Sequence, residues 1–212
     1  MKQIRFLQLG WAAFLALAAV MVGVGFQTPT EKIGVADINR LMVDSDFGKS
    51  LQAQLDKMRA ARQDLLSFID SNRVITMDQA YQLRDLSLKP SLTKEEQAQL
   101  DSLKAAIVAA SKKWTELATK PNMTPEERTL VQDYADRAQK MAQTGNRWVQ
   151  DFSNDLADWA AKQKADGNQR ARGAIQDVAK AQGYTMVYDS VFAPYGANDL
   201  TDAALAAMNA KK

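Results

Sequence analysis

The sequence predicts a mainly α protein with a small β part: a long helical hairpin, short strands contributed by both ends of the chain, and a C-terminal helix. Three observations carry this. Apolar residues recur at spacings of three and four through most of residues 47–182. Three helix-start signatures punctuate that zone. Short runs of β character stand before and after it.

The chain opens MKQIRFLQLGWAAFLALAAVMVGVGFQT, with Lys2 and Arg5 ahead of an uncharged stretch from Leu9 to Val24. Residues 1–26 therefore read as a secretory signal peptide, with Gly23 and Gly25 at small-residue positions before cleavage. The alternative is an uncleaved anchor, since Leu7 to Phe26 is about the 20 residues a spanning helix needs. Both place the bulk of the chain beyond the cytoplasmic membrane, in the periplasm or cell envelope. Without Lys2 and Arg5 the 27 basic residues become 25, against 25 acidic ones. A neutral mature chain gives no reason to expect nucleic acid as a partner.

The chain has no His and no Cys. The usual zinc ligand sets, a disulfide, acylation at cysteine and a His-assisted nucleophile are thereby excluded. Gly48-Lys49-Ser50 ends like a phosphate-binding loop, but Val43 stands where the first glycine belongs. Asp44-Ser45-Asp46-Phe47-Gly48 is too short and apolar for a calcium loop. Asp151 and Asp155, spaced i, i+4, read as a solvated helix face. No catalytic residue, metal or cofactor is expected, and the chain does not read as an enzyme.

In order along the chain, Ile33 and Val35 alternate with small residues in a first strand over 32–38, and Gly48 reads as a backbone device at a helix start. A helical zone follows. Thr76-Met77-Asp78-Gln79, Thr93-Lys94-Glu95-Glu96 and Thr124-Pro125-Glu126-Glu127 each fit a capping box, the last with proline at the first helical position. Lys89-Pro90-Ser91-Leu92-Thr93 and Lys120-Pro121-Asn122-Met123-Thr124 are near-copies, through duplication or through the chemistry any helix start favours. A descending arm is expected from Phe47 to Ala118, interrupted near 71–75 and at 89–92. The tip falls at 119–123, and an ascending arm of similar length follows from Pro125 to Gln182 with no further proline, on the order of 85 Å long. Stripes such as Leu51, Met58 and Leu65, or Tyr134, Met141, Trp148 and Phe152, bury one helix against another. Large apolar residues vanish between Ala161 and Gly173, which predicts a solvated or loosely packed stretch, with Asp166-Gly167 as its weak point. Gly183 sits where a helix C-cap glycine belongs. Then come a strand at 184–189, a second short strand near Val191–Tyr195 and a helix from about Asp199. Residues 27–46 and 183–212 thus form a β-containing oligomerisation body, and 47–182 a helical arm.

Two stretches resemble the OmpH/Skp family of periplasmic chaperones. KIGVADINRLMVDSDFGKSLQAQLDK, from Lys32 to Lys57, is similar to the family's opening strand, short helix and glycine-lysine start of the first long helix. GYTMVYDSVFAPYGANDLTDAALAAMN, from Gly183 to Asn209, is similar to its closing strands and final helix. The resemblance implies a homotrimer in which three subunits pool their strands into a small β-barrel body. Helical tentacles hang from that body around a cavity. It also implies unfolded outer-membrane β-barrel proteins as clients, with no nucleotide used. The chain departs from the family in its neutrality, which gives no support to an electrostatic grip on acidic clients or lipopolysaccharide, and in the breaks between Ser71 and Thr124, which imply an arm that is kinked, thickened or partly a separate bundle. Physics points to assembly independently: two or three strands of about five residues make no stable sheet alone, and a closed barrel removes exposed edges. Ile33, Val35, Met186, Val187 and Tyr188 are the candidate oligomerisation residues.

The function expected is that of an ATP-independent holdase. Its candidate client contacts are Met58, Met77, Tyr81, Met123, Tyr134, Met141, Trp148 and Trp159, because Met and aromatic side chains adapt to varied partners. More than half of these are expected only to join helix to helix. The competing reading is a coiled-coil spacer or membrane-anchored tether that binds no client.

Overall fold

A computed structural model of the chain describes residues 31–193 and 198–211; the expected signal segment lies outside them. Strand β1 is Ile33–Ala36, followed by helices α1 (Ile38–Asp44), α2 (Asp46–Ser71), α3 (Met77–Ser87), α4 (Lys94–Ala118) and α5 (Pro125–Ala181). Strand β2 (Met186–Asp189) and helix α6 (Thr201–Ala210) complete it. Among the described residues no helix is long and apolar enough to cross a membrane.

The base of the molecule joins the two ends of the chain. β1 pairs in parallel with β2, Ile33 opposite Met186 and Ala36 opposite Asp189. On the other side of β1, Val35 donates its N–H to the Asn198 carbonyl at 2.9 Å and accepts from the Leu200 N–H at 2.8 Å. This pairing at 198–200 corrects the strand expected near Val191–Tyr195. Val191 and Phe192 instead form a turn, because Asp189 accepts the Val191 N–H on its side chain and the Phe192 N–H on its carbonyl. Residues 194–197 lie outside the described set.

Beneath the sheet, α1 and α6 pack on the C-terminal half of α5. Leu41, Ala171, Ala174, Ala204 and Met208 form the buried centre, with Phe47, Ile175 and Leu205 against it. The stretch from 161 to 173, expected to be solvated or loosely packed, is solvated on one side and packs closely on the other, where Gly167 and Ala171 are buried. Its side chains are small because α1 lies close: a Cβ on Gly167 would fall 2.1 Å from Met42 Cε and 3.2 Å from Phe47 Cε1. Gly167 is buried within one unbroken 57-residue helix, on the order of 85 Å long, and marks no break. Two caps set the junction from α1 to α2. Asp37 accepts from the Arg40 N–H, and buried Ser45 accepts from the Gly48 N–H at 3.0 Å. Gly183, with φ +73°, ends α5 as the sequence suggests. Its N–H reaches the Lys180 carbonyl and that of Tyr184 the Ala179 carbonyl, the two bonds of a Schellman turn.

All three capping boxes form, at Thr76 with Gln79, Thr93 with Glu96 and Thr124 with Glu127. The two near-copies fold alike. Lys89 pairs with Glu96, and Lys120 with Glu127 at 2.6 Å, so each corner ties its turn to the first turn of the next helix.

The middle of the arm is thickened into a bundle, one of the forms the breaks imply. Arg62 lies beside Asp155, and Ile69 beside Gly145, so α2 runs antiparallel to α5. Met77 meets Thr144 and Tyr81 meets Trp148, so α3 runs parallel to it, back toward the base. α4 then starts again near Ala61 and Phe68 and descends to the tip, where residues 119–124 turn into α5. The chain from Phe47 to Ala118 is longer than the helix opposite, and the excess is stored in this reversal. At that level four helices share one core that includes Leu65, Ile69, Ile75, Leu83, Leu100, Ile107, Met141, Trp148 and Phe152.

Candidate functional site

Two places gather the residues singled out from the sequence. The first is the sheet at the base. In a parallel pair, opposed residues share a face and alternate along the strand. Gly34, Ala36 and Val187 therefore face the helices; a Cβ on Gly34 would lie 2.1 Å from Leu200 Cδ1. Ile33, Val35, Met186 and Tyr188 take the opposite face. Val35, flanked by β2 and by Asp199, is buried. Ile33, Met186 and Tyr188 are 44%, 47% and 45% exposed, and the neighbouring turn adds Val191 and Phe192 at 65% and 84%. Five large apolar side chains thus stand open at one end of the molecule. Among the described residues no strand covers the outer edge of β2.

Of the five residues expected to join subunits, four take this face, and three of them are exposed. Val35 is buried there between its neighbours, and Val187 is half-buried on the helix side. Strand alternation alone gave no means to tell the faces apart. Val191 and Phe192 were missed as surface residues because their apolar character reads equally well as a strand.

The second place is the seam where α3 and α4 cover α5. Tyr81 and Trp148 rings lie 6.1 Å apart, and Trp148 and Phe152 likewise. The Arg84 guanidinium stands 5.3 Å from both the Trp148 and the Phe152 ring, and that of Arg62 5.4 Å from Phe152. These cations lie within reach of the negative faces of the rings. Arg62 also donates to the Met58 carbonyl at 3.1 Å, while its Nε is buried without a hydrogen-bond partner.

The candidate client contacts divide by burial. Tyr134, Met141 and Trp148 are buried inside the arm and serve as its core in this structure. Met58, Met77, Met123 and Trp159 are half-buried, and Tyr81 alone is exposed. The adaptable side chains therefore do not form one free surface. An open groove between α2 and α5 is lined by Leu66, Ile69, Met141, Gly145 and exposed Val149, with Asp70, Arg73 and Asn146 beside them. Asp151 and Asp155 are exposed on α5. Among the described residues no three His, Cys, Asp or Glu side chains come close enough to hold a metal ion.

The architecture is thus a base built from both chain ends and a long helical arm, and the sequence matches a family model over nearly all of it. The family is described as outer membrane protein (OmpH-like), and the match runs from residue 32 to 208. The chain belongs to the OmpH-like family. That span includes both terminal stretches and the folded-back middle, so the three short helical breaks lie within an OmpH-like chain. No curated protein and no solved structure matches it.

Proposed function

We propose that this OmpH-like chain is an ATP-independent holding chaperone of the periplasm, assembled as a homotrimer, that keeps unfolded outer-membrane or envelope proteins from aggregating. The observation that carries the proposal is the family match over residues 32–208, since the OmpH-like family is one of periplasmic chaperones. The geometry supports it in two ways. An open apolar face at the base suits self-association through residues 27–46 and 183–212, with Ile33, Met186 and Tyr188 at the contact. An arm rich in Met and aromatic residues suits many weak contacts. Residues 1–26 are assigned to export.

A client β-barrel, unfolded, exposes alternating apolar residues and unpaired strand backbone and aggregates through both. Holding it requires neither nucleotide nor a catalytic group. A neutral mature chain also means that contact should depend little on screening. The test is dilution of a urea-unfolded outer-membrane β-barrel into buffer with the purified mature protein and no nucleotide. Suppression of turbidity at about one trimer per client, changed little by moderate salt, is expected. No suppression at several-fold excess of a verified trimer would instead favour a spacer or tether without client binding.

A further inference from the structure

The open end of the base carries an apolar knob and, beside it, a groove. The knob is the turn at Val191 and Phe192, 65% and 84% exposed. Asp189 sets this turn. Its side chain takes the Val191 N–H at 3.1 Å, and its carbonyl takes the Phe192 and Ala193 N–H groups at 2.9 and 3.1 Å. Phe192 is thus held outward in a fixed turn while touching little of its own subunit. The groove runs between β2 and the last turns of α5 and has a volume of about 450 Å³. Ile38, Ile175, Ala179 and Val187 give it an apolar lining, and Arg172 and Lys180, both exposed, stand on its α5 side. Both faces of β2 contribute, Val187 from one and Met186 and Tyr188 from the other, so the groove wraps the outer edge of that strand. Among the described residues no strand covers this edge.

We infer that the Phe192 turn of one subunit seats in the β2–α5 groove of the next, so that every copy gives one knob and receives one. This rests on the homotrimer reading and deepens it by naming the surfaces that meet. A knob and a groove at different places on one subunit make a heterologous contact, the kind that closes a ring when the rotation allows. A second copy is the occupant because the same open face already presents what the groove suits. It offers an aromatic side chain in a set geometry, once per groove, continuous with exposed Ile33, Met186 and Tyr188. A client of varied sequence brings no such fixed partner. The cations of Arg172 and Lys180 suit the negative face of an incoming ring. A turn ordered in advance lowers the cost of association, and an aromatic group entering a pocket is the usual anchor of an interface. The seated turn also covers the outer edge of β2, which left open would pair with any strand, a client's included.

The chain has no cysteine, so introduced thiols report without background. Phe192→Cys and Gln176→Cys, the latter on the α5 wall of the groove, are made as separate variants of the mature chain, unfolded together and refolded as a mixture. Mild oxidation should join the two variants to each other, and neither variant alone should cross-link. Linking of Phe192→Cys to itself would set the turns against one another and overturn the seat. The double variant should go on to a covalent trimer once its thiols are consumed. A product that stops at dimer means reciprocal exchange between two subunits, and a monomer with its thiols consumed puts the turn in its own groove; both overturn the inference. Phe192→Ala should weaken assembly about 30-fold or more, read by sedimentation across concentration. Gln176→Trp, which fills the groove, should do likewise, and both variants should keep their helical circular dichroism. Assembly unchanged by both, or no mixed disulfide in a verified trimer, overturns the seat and leaves the trimer standing. A mature chain that is monomeric at every concentration removes the homotrimer reading and the seat together.

Discussion

The carbonyl oxygen of Met42 occupies the place where a side chain on Gly48 would begin, 1.7 Å from an ideal Cβ. Gly48 is the third residue of α2 and its N–H is held by Ser45, so neither side of this contact is free to move alone. Helix propensity favours alanine over glycine by about 1 kcal/mol, but forcing the backbone of α1 away should cost about 1–3 kcal/mol. Gly48→Ala is therefore expected to lower the denaturant midpoint. Gly173, with nothing within 4 Å of an added Cβ, is the control, and Gly173→Ala should stabilise by about 0.5–1 kcal/mol. Opposite shifts in urea unfolding at unchanged slope would confirm the distinction.

The two matching corners predict a dependence on acid. Lys89, then the Thr93 N–H, hold the Glu96 carboxyl below its ordinary value of 4.5, and Lys120 with the Thr124 N–H do the same for Glu127. Depressed folded-state values stabilise the fold fully above the unfolded value, and the contribution is lost as pH falls through the lowered ones. The thermal midpoint should be flat above about pH 5 and fall below it. Glutamine retains the bond to the cap N–H but loses the pair with lysine. The Glu96→Gln, Glu127→Gln double variant should thus show a shallower acid limb, read by circular dichroism across pH.

The seam residues should separate by burial. Trp148→Ala removes a buried indole from the four-helix level and should cost about 3–5 kcal/mol. Tyr81→Ala removes a half-exposed ring whose main aromatic contact is Trp148, and about 0.5–1.5 kcal/mol is expected. Equal losses in chemical unfolding would contradict the packing described for this level.

Assembly provides a fourth test. Met186→Asp with Tyr188→Asp places two carboxylates on the open face of the sheet, where a partner's apolar side chains would have to desolvate them. Light scattering should report a trimer for the unchanged mature chain and monomer for the variant, with helical content retained. A variant that remains trimeric at low concentration would move the contact away from this face.

The elements of the fold were legible because their signals are local. Each capping box needs four residues, and the turn at Gly183 needs one glycine and two amides; all appear where the sequence suggests. The course of the chain between them was not legible. A break at 72–76 states that a helix stops, but the direction of α3 is fixed by Met77 meeting Thr144, a contact 67 positions away. The stretch around Gly167 and Ala171 was misread for a related reason: small side chains signal solvation or close approach equally, and only the position of Met42 decides. The candidate site shares the limit, since periodicity places Met141 and Trp148 on a stripe without saying what covers it.

The parallel pairing of β1 with β2 also fixes the order in which this molecule can fold. Lys32 accepts from Thr185 across 153 positions, and closing a flexible loop of that size costs on the order of 4 kcal/mol in chain entropy beyond a constant. Four residues of strand on each side cannot offset that alone. The arm, folded through reversals at 72–76, at 88–93 and at the tip, closes shorter loops than that one and brings residues 32 and 185 together as a finished spacer. A chain emerging from a membrane amino-terminus first would keep its base open until the final helix had followed. The apolar face would then appear only on subunits whose synthesis is complete, so that truncated chains would lack the surface needed to join intact ones.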